Sequence, residues 1–142
     1  YFAKFNRNYG PSVGNRVLRA LAQLIASESP ADCHVARFAG QRFALLAIDR
    51  DLKQAVSDAE RLRQTIETVQ LEYGETDLEI TVSCGVVAAT QDDSQETLYI
   101  RAINSVQEAK RYGRNRTFVH EGEYPTPVVP PNFTLNEKHV TV

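Results

Sequence analysis

A chain of 142 residues, 42% apolar and 24% charged, is long enough for one domain with a sizeable core, and its composition is neither disordered nor fibrous. A net charge of −2 at pH 7 supplies no basic field to recruit nucleic acid or an anionic membrane surface. The apolar runs are too short for a membrane span, no secretory pattern opens the chain, and the absence of an initial Met reads as a fragment of something longer.

Residues 1–13 read as loop, with Gly10 and Pro11 as breakers. From about Gly14, Val17, Leu18, Leu21, Leu24 and Ile25 fall on one stripe of an amphipathic helix, and Pro30 lies just beyond its end. "CHVARFA" and "FALLAI" predict two strands joined at Gly40, a hairpin. Val56, Ala59, Leu62, Ile66 and Val69 then predict a second helix from about Leu52 to Tyr73, closed by Gly74. "LEITVSCGVV" alternates as a half-buried strand. Leu98, Ala102, Val106 and Ala109 line a third helix ending at Gly113, and "RTFVH" is a last short strand.

Helix, hairpin, helix, strand, helix, strand is the order of an α+β fold, an antiparallel-rich central sheet flanked by helices. After Gly122 the composition shifts: Pro125, Pro127, Pro130 and Pro131 fall in the last twenty residues. Residues 1–122 are therefore expected as the domain and 123–142 as a polyproline-like tail, packed on the domain or on a neighbouring chain. Cys33 and Cys84 show no zinc-site spacing, and Cys84, alternating with Val82 and Val86, is expected as a buried structural thiol. Two scattered cysteines fit a reducing, cytoplasmic setting. His34, His120 and His139 are dispersed, and each reads as a strand or tail residue.

Four motifs stand in one order: "RFAGQRF" on the hairpin, "AERLRQTI" on the next helix, "TVSCGV" on a strand, and "EAKRYGRNR" closing the third helix. Together with the opening "FAKFNRNYGPSVGN", they resemble the GGDEF domain, the diguanylate cyclase family, over residues 1 to about 120. The resemblance implies a palm-like nucleotidyl cyclase fold. In active members two GTP-loaded domains meet and make cyclic di-GMP, using divalent metal held by carboxylates. Those carboxylates come from an Asp in a first strand, which would fall before Tyr1, and from the third and fourth letters of the hairpin motif.

Here that motif reads Ala39, Gly40, Gln41, Arg42, Phe43. Gln41 puts a neutral amide where the first carboxylate belongs, and Arg42 a permanent cation where the second does. Ala39 adds a methyl where the family's first Gly lets phosphate approach. The resemblance thus implies a degenerate member with no catalytic residue, no bound metal and no cofactor. Asp49 and Asp51, beyond the second strand, read as a turn and a helix cap.

On the nucleotide side, Asn6 matches the family's base-binding Asn, while Asn15 stands where the family has an Asp, which weakens guanine selectivity. Ala3, Arg7 and Pro11 also depart from the pattern. Lys110 and Arg114 match the phosphate-contacting Lys and Arg; the plainer reading is that they complement the helix C-terminal dipole. Arg42, facing the same cleft, would make it cationic. The family's inhibitory RxxD register gives Pro30 and Cys33, with Asp32 one place out and Ser29 three residues before it. Arg61 matches an Arg that some members use as a secondary contact to that ligand, or is a solvated helix residue.

These readings predict an inactive GGDEF domain serving as a regulatory or interaction module of a larger bacterial signalling protein. The alternative is a nucleotide sensor for GTP or cyclic di-GMP that keeps phosphate binding without turnover; altered enzymatic chemistry is the third reading. The implied partners are other domains of the parent protein, a second copy or a GGDEF/EAL partner, and a nucleotide. Neither nucleic acid nor membrane contact is expected of this domain, which would be cytoplasmic, alone or tethered to a membrane protein through upstream segments. The tail is expected to cover the old active face.

Overall fold

The computed structural model describes residues 2–38 and 40–142. The helices are α1 (Phe2–Tyr9), α2 (Pro11–Glu28), α3 (Leu52–Thr68) and α4 (Gln95–Arg111). The strands are β1 (Cys33–Phe38), β2 (Arg42–Ala47), β3 (Gln70–Tyr73), β4 (Thr76–Leu78), β5 (Cys84–Val87), β6 (Thr117–His120), β7 (Pro125–Pro127) and β8 (His139–Thr141). They form three small sheets, β1-β2, β4-β3-β8 and β5-β6-β7, with antiparallel pairs except β3-β8 and β5-β6. The class is α+β, as the pattern of elements predicts.

The chain groups into two compact units. The first holds α1, α2, β1 to β4 and β8. Its opening corrects the expected loop, because Phe2, Phe5 and Tyr9 share one face of α1, their rings 5.6 and 4.8 Å apart in succession. Gly10, at φ 87°, breaks the chain there, and Pro11 does not interrupt a helix but starts one, the position where its missing N–H costs nothing. The buried stripe of α2 is Val13, Val17, Leu18, Leu21, Leu24 and Ile25. Ser29 ends the helix in extended conformation, its hydroxyl donating to Ile25 O at 2.6 Å.

The second helix stops at Thr68, not Tyr73. Val69 and Leu71 are buried while Gln70 is exposed, a period of two that makes β3, and Gly74 at φ 61° turns it into β4. The C-terminal β8 adds to the other edge of β3: Gln70 N donates to Lys138 O at 2.9 Å and Val142 N to Glu72 O at 2.8 Å. Lys138 also pairs with Glu28 at the end of α2, 2.6 Å apart.

The second unit holds α3, β5, α4, β6 and β7. Asp51 caps α3 reciprocally with Gln54: Gln54 N donates to Asp51 Oδ1 at 2.8 Å, and Asp51 N to Gln54 Oε1 at 3.0 Å. Asp49 sits in a turn at φ 59°. Ser94 and Thr97 make a capping box on α4. Of "LEITVSCGVV" only Cys84–Val87 is strand. Alternation along β5 and β6 sends Cys84 and Thr117 to one face and Gly85 and Phe118 to the other. Thr117 bonds Glu60 of α3, and Gly85 lies against Ala102, Ser105 and Val106 of α4. The sheet is therefore sandwiched between the two helices.

The proline-rich segment forms strand where coil is expected. Val128 N donates to Thr117 O at 3.0 Å, which puts Pro125 and Pro127 on the alternate positions, where a ladder needs no N–H. Within the second unit β7 pairs with β6, and within the first β8 pairs with β3 rather than with the hairpin, whose Gly40, Gln41 and Arg42 are exposed.

At the end of β6, His120 is buried, and its Nδ1 accepts from Gly122 N at 3.0 Å. Burial, then the nearby Arg101 cation, lowers its pKa against the opposing pull of Asp93. The folded chain thus holds fewer protons here than the unfolded chain. This contribution to stability is complete above about pH 6.5 and is lost as pH falls through the lower folded value. Urea unfolding between pH 8 and 5 is expected to show it, and His120→Asn to flatten the slope; an unchanged slope would remove His120 as its source.

Candidate functional site

In the first unit the hairpin pairs Phe38 with Arg42 and Arg37 with Phe43. Gly40 takes φ 75°, a conformation side chains resist, and its carbonyl accepts from Arg37 Nε at 2.7 Å. Gln41 and Arg42 are exposed and Phe43 is half-buried; Ala39 lies outside the described residues. The turn therefore offers one amide and one guanidinium. Guanidinium has no lone pair to give a cation, so this donor set does not fit Mg²⁺, which takes oxygen ligands, usually carboxylate and phosphate.

Asn6 and Asn15 also belong to this unit. A Cβ on Gly14 would lie 1.9 Å from Asn6 Oδ1, so the bare Gly14 backbone is what lets Asn6 rest on α2. That oxygen is buried without a hydrogen-bond partner among the described residues. A buried acceptor without a partner carries a desolvation cost. Asn15, on the first turns of α2, is exposed.

Lys110 and Arg114 belong to the second unit. They are not both on the helix: α4 ends at Arg111, Gly113 takes φ 119°, and Arg114 follows at φ 65°. Arg114 N donates to Ala109 O at 2.9 Å and Gly113 N to Lys110 O at 3.4 Å, a C-terminal cap that satisfies the last carbonyls. Lys110 is exposed and Arg114 half-buried. Both cations therefore sit at the negative end of the α4 dipole.

Arg61 is exposed, as a solvated helix residue would be, and among the described residues it is set against a ring rather than an anion. Its guanidinium lies 4.4 Å from the ring centroid of Phe133. Cys84, expected to be buried, is half-covered as a residue; burial of its thiol nonetheless pushes its pKa up to about 11, which leaves it an unreactive thiol.

The sequence reading overlooked the polar centre of this unit. Glu60 is 0% exposed and Arg63 5%. Glu60 accepts from Arg63 Nε at 2.6 Å and from a second Arg63 nitrogen at 2.9 Å, and Thr117 Oγ1 donates to it at 2.6 Å. Arg63 also donates to Glu67 at 3.1 Å and to Asn115 Oδ1 at 2.9 Å. The signal was in "AERLR": Glu60 and Arg63 fall one turn apart on the stripe that leads to buried Ile66. A second network joins Arg101 to Asp93, to Ala88 O at 2.7 Å and to His120 O at 3.3 Å; the Arg101 guanidinium holds Asp93 far below the usual carboxylate range.

Likeness to solved structures places the chain in the palm-like nucleotidyl cyclase class. Two solved structures share that fold. One is the diguanylate cyclase SiaD of Pseudomonas aeruginosa in complex with its activator SiaC (TM-score 0.81, 28% identity, 84% of this chain and 46% of that one). The other is the GGDEF domain of DgcB from Caulobacter crescentus in complex with c-di-GMP (TM-score 0.78, 26% identity, 83% and 71%). The chain belongs to the GGDEF domain family: the family profile "Diguanylate cyclase, GGDEF domain" matches residues 1–116. Among curated relatives, diguanylate cyclase VdcA of Vibrio cholerae serotype O1 is 36% identical over 119 residues, 82% of this chain but 35% of VdcA. The chain thus spans about a third of that relative's length.

Proposed function

We propose that this GGDEF domain does not turn over GTP and serves as a regulatory or interaction module within a larger bacterial signalling protein. The observation that carries this reading is the hairpin turn, where Gln41 and Arg42 stand exposed with no carboxylate between Gly40 and Phe43. Phosphoryl transfer rests on metal neutralising the developing charge. A fixed guanidinium beside the phosphates repels that metal, and it cannot act as a base near neutral pH. The SiaD complex with its activator SiaC supports the idea that this fold also serves as a protein-binding platform. No helix among the described residues is long and apolar enough to cross a membrane.

A second reading is a nucleotide sensor, favoured by Lys110 and Arg114, which flank the turn that ends α4, and by the unanswered acceptor of Asn6. One experiment separates the two. The chain is melted with GTP, GMP and cyclic di-GMP, each with and without Mg²⁺, and a product assay follows. A ligand that binds only the folded state raises the midpoint as its concentration rises. The module reading expects no product and no Mg²⁺-dependent shift, and any cyclic di-GMP formed would overturn both readings. A metal-independent shift supports the sensor, and Lys110→Ala with Arg114→Ala is then expected to abolish it. A shift that survives both substitutions removes these residues as the phosphate site.

A further inference from the structure

We propose that the outer face of α3 is a docking surface for an extended, proline-rich segment with an aromatic residue two positions after a proline, occupied in this chain by its own residues 130–133. Two independent contacts carry the assignment. Gln64 Nε2 donates to Pro131 O at 2.9 Å, and the Arg61 guanidinium lies 4.4 Å from the Phe133 ring centroid. Both belong to the second unit. A donor for a backbone carbonyl and a flat cation for an aromatic ring are what such a segment needs from a helix face. Such a chain makes no internal hydrogen bonds, so its carbonyls need outside donors. Its apolar residues need a flat partner, and an arginine over an aromatic face supplies one.

The register agrees with a docked peptide. Arg61 and Gln64 are one turn apart on α3, a rise of about 4.5 Å, and Pro131 and Phe133 are two residues apart in a chain that advances about 3.1 Å per residue. Gln64 meets Pro131 and Arg61 meets Phe133, so the segment runs antiparallel to the helix. Among the described residues no carboxylate pairs with Arg61, which leaves its plane to the ring. Pro130 and Pro131 fix their own φ angles, so ordering the segment costs less entropy than for an ordinary chain. The segment lies beyond residue 116, where the family profile ends. A ligand tethered in this way holds its site at an effective concentration of about millimolar. A partner of the same chemistry must outcompete it, which makes the segment a built-in threshold for docking.

The test uses a fluorescently labelled peptide of residues 127–136 and the whole chain, read by anisotropy. Phe133→Ala vacates the site, so the peptide is expected to bind this variant saturably, and at least ~10-fold more tightly than wild type, whose own segment competes. Adding Arg61→Ala and Gln64→Ala is expected to abolish that binding. No binding to the Phe133→Ala chain overturns the proposal, as does equal affinity for all three proteins. Should Phe133→Ala perturb folding by circular dichroism, limited proteolysis of the Arg61→Ala, Gln64→Ala chain decides. A faster first cleavage of residues 128–137 by a dilute protease, with cleavage elsewhere unchanged, supports the docked segment, and an unchanged cleavage rate there overturns it.

Discussion

Glu60→Ala is expected to destabilise the protein by about 3–5 kcal/mol, the range for breaking a buried ion pair by removing one partner. Arg63 is 5% exposed and cannot swing to water without leaving Asn115, to which it donates from the same nitrogen that reaches Glu67. The substitution takes away the buried two-pronged partner of Arg63, leaving the guanidinium only the exposed Glu67 carboxylate, and also deprives Thr117 Oγ1 of its acceptor. Glu60→Met with Arg63→Met should cost far less than the single change, because the one charge that loses its partner, Glu67, is exposed to water and no buried charge is left unpaired. Urea midpoints at constant slope measure both, and a Glu60→Ala loss under 1 kcal/mol would show that the pair is solvated. The pH dependence follows. Burial pushes Glu60 up, but hydrogen bonds from Arg63 and Thr117 together with the Arg63 charge outweigh it and hold the pKa below the ordinary value. The contribution is present above about pH 4.3 and is lost as pH falls through the lower folded value. Glu60→Gln should remove that acid-side component.

This pair also shows what a sequence hides. An acid and a base three apart on a helix look like a solvated face, and only the stripe they share with Ile66 hints at burial. The stripes of α2 and α4 were legible because apolar periodicity and end signals agree there. The hairpin was legible because two β-rich runs flank a short connection at Gly40. Helix α1 was missed because Gly10 and Pro11 were read as one break, although a proline at the first position of a helix starts it. Strand β3 was absorbed into the preceding helix because four residues are too few to separate a period of two from one of 3.6. The tail was misread because proline is compatible with an edge strand at alternate positions, which only the pairing partner reveals.

The candidate site divides in the same way. Residue identity at Gln41 and Arg42 needed no structure, since the chemistry of amide and guanidinium is fixed. The positions of Asn6, Lys110 and Arg114 did need one. The resting place of Asn6 depends on a missing side chain at Gly14, and Arg114 lies past the helix end because Gly113 turns the chain. Arg61 was read from its own helix alone, and its partner is a ring 72 residues away in a segment that sequence reasoning left as coil.

Gly85→Ala should be the other large loss, about 1–3 kcal/mol, the usual cost of overpacking a close contact; Gly85→Val should cost more. A Cβ at Gly85 would meet Ala102 O at 2.7 Å, Ser105 Cβ at 2.8 Å and Val106 N at 2.8 Å. Two of these are backbone atoms of α4, which cannot rotate aside as a side-chain tip can, so the helix must move away from β5 as a body. Adding Ser105→Gly relieves only one of the three contacts and should recover part of the loss, a coupling that a double-mutant cycle reads directly. A Gly85→Ala chain as stable as wild type would mean that α4 rides further from the sheet. The consequence reaches the candidate site, because α4 carries Lys110 and its cap carries Arg114. If the sensor reading holds, Gly85→Ala should weaken the nucleotide-dependent shift more than its stability loss accounts for. The same substitution leaves Gln41 and Arg42 on their hairpin untouched, so it separates the cation-bearing helix from the altered turn in a single comparison.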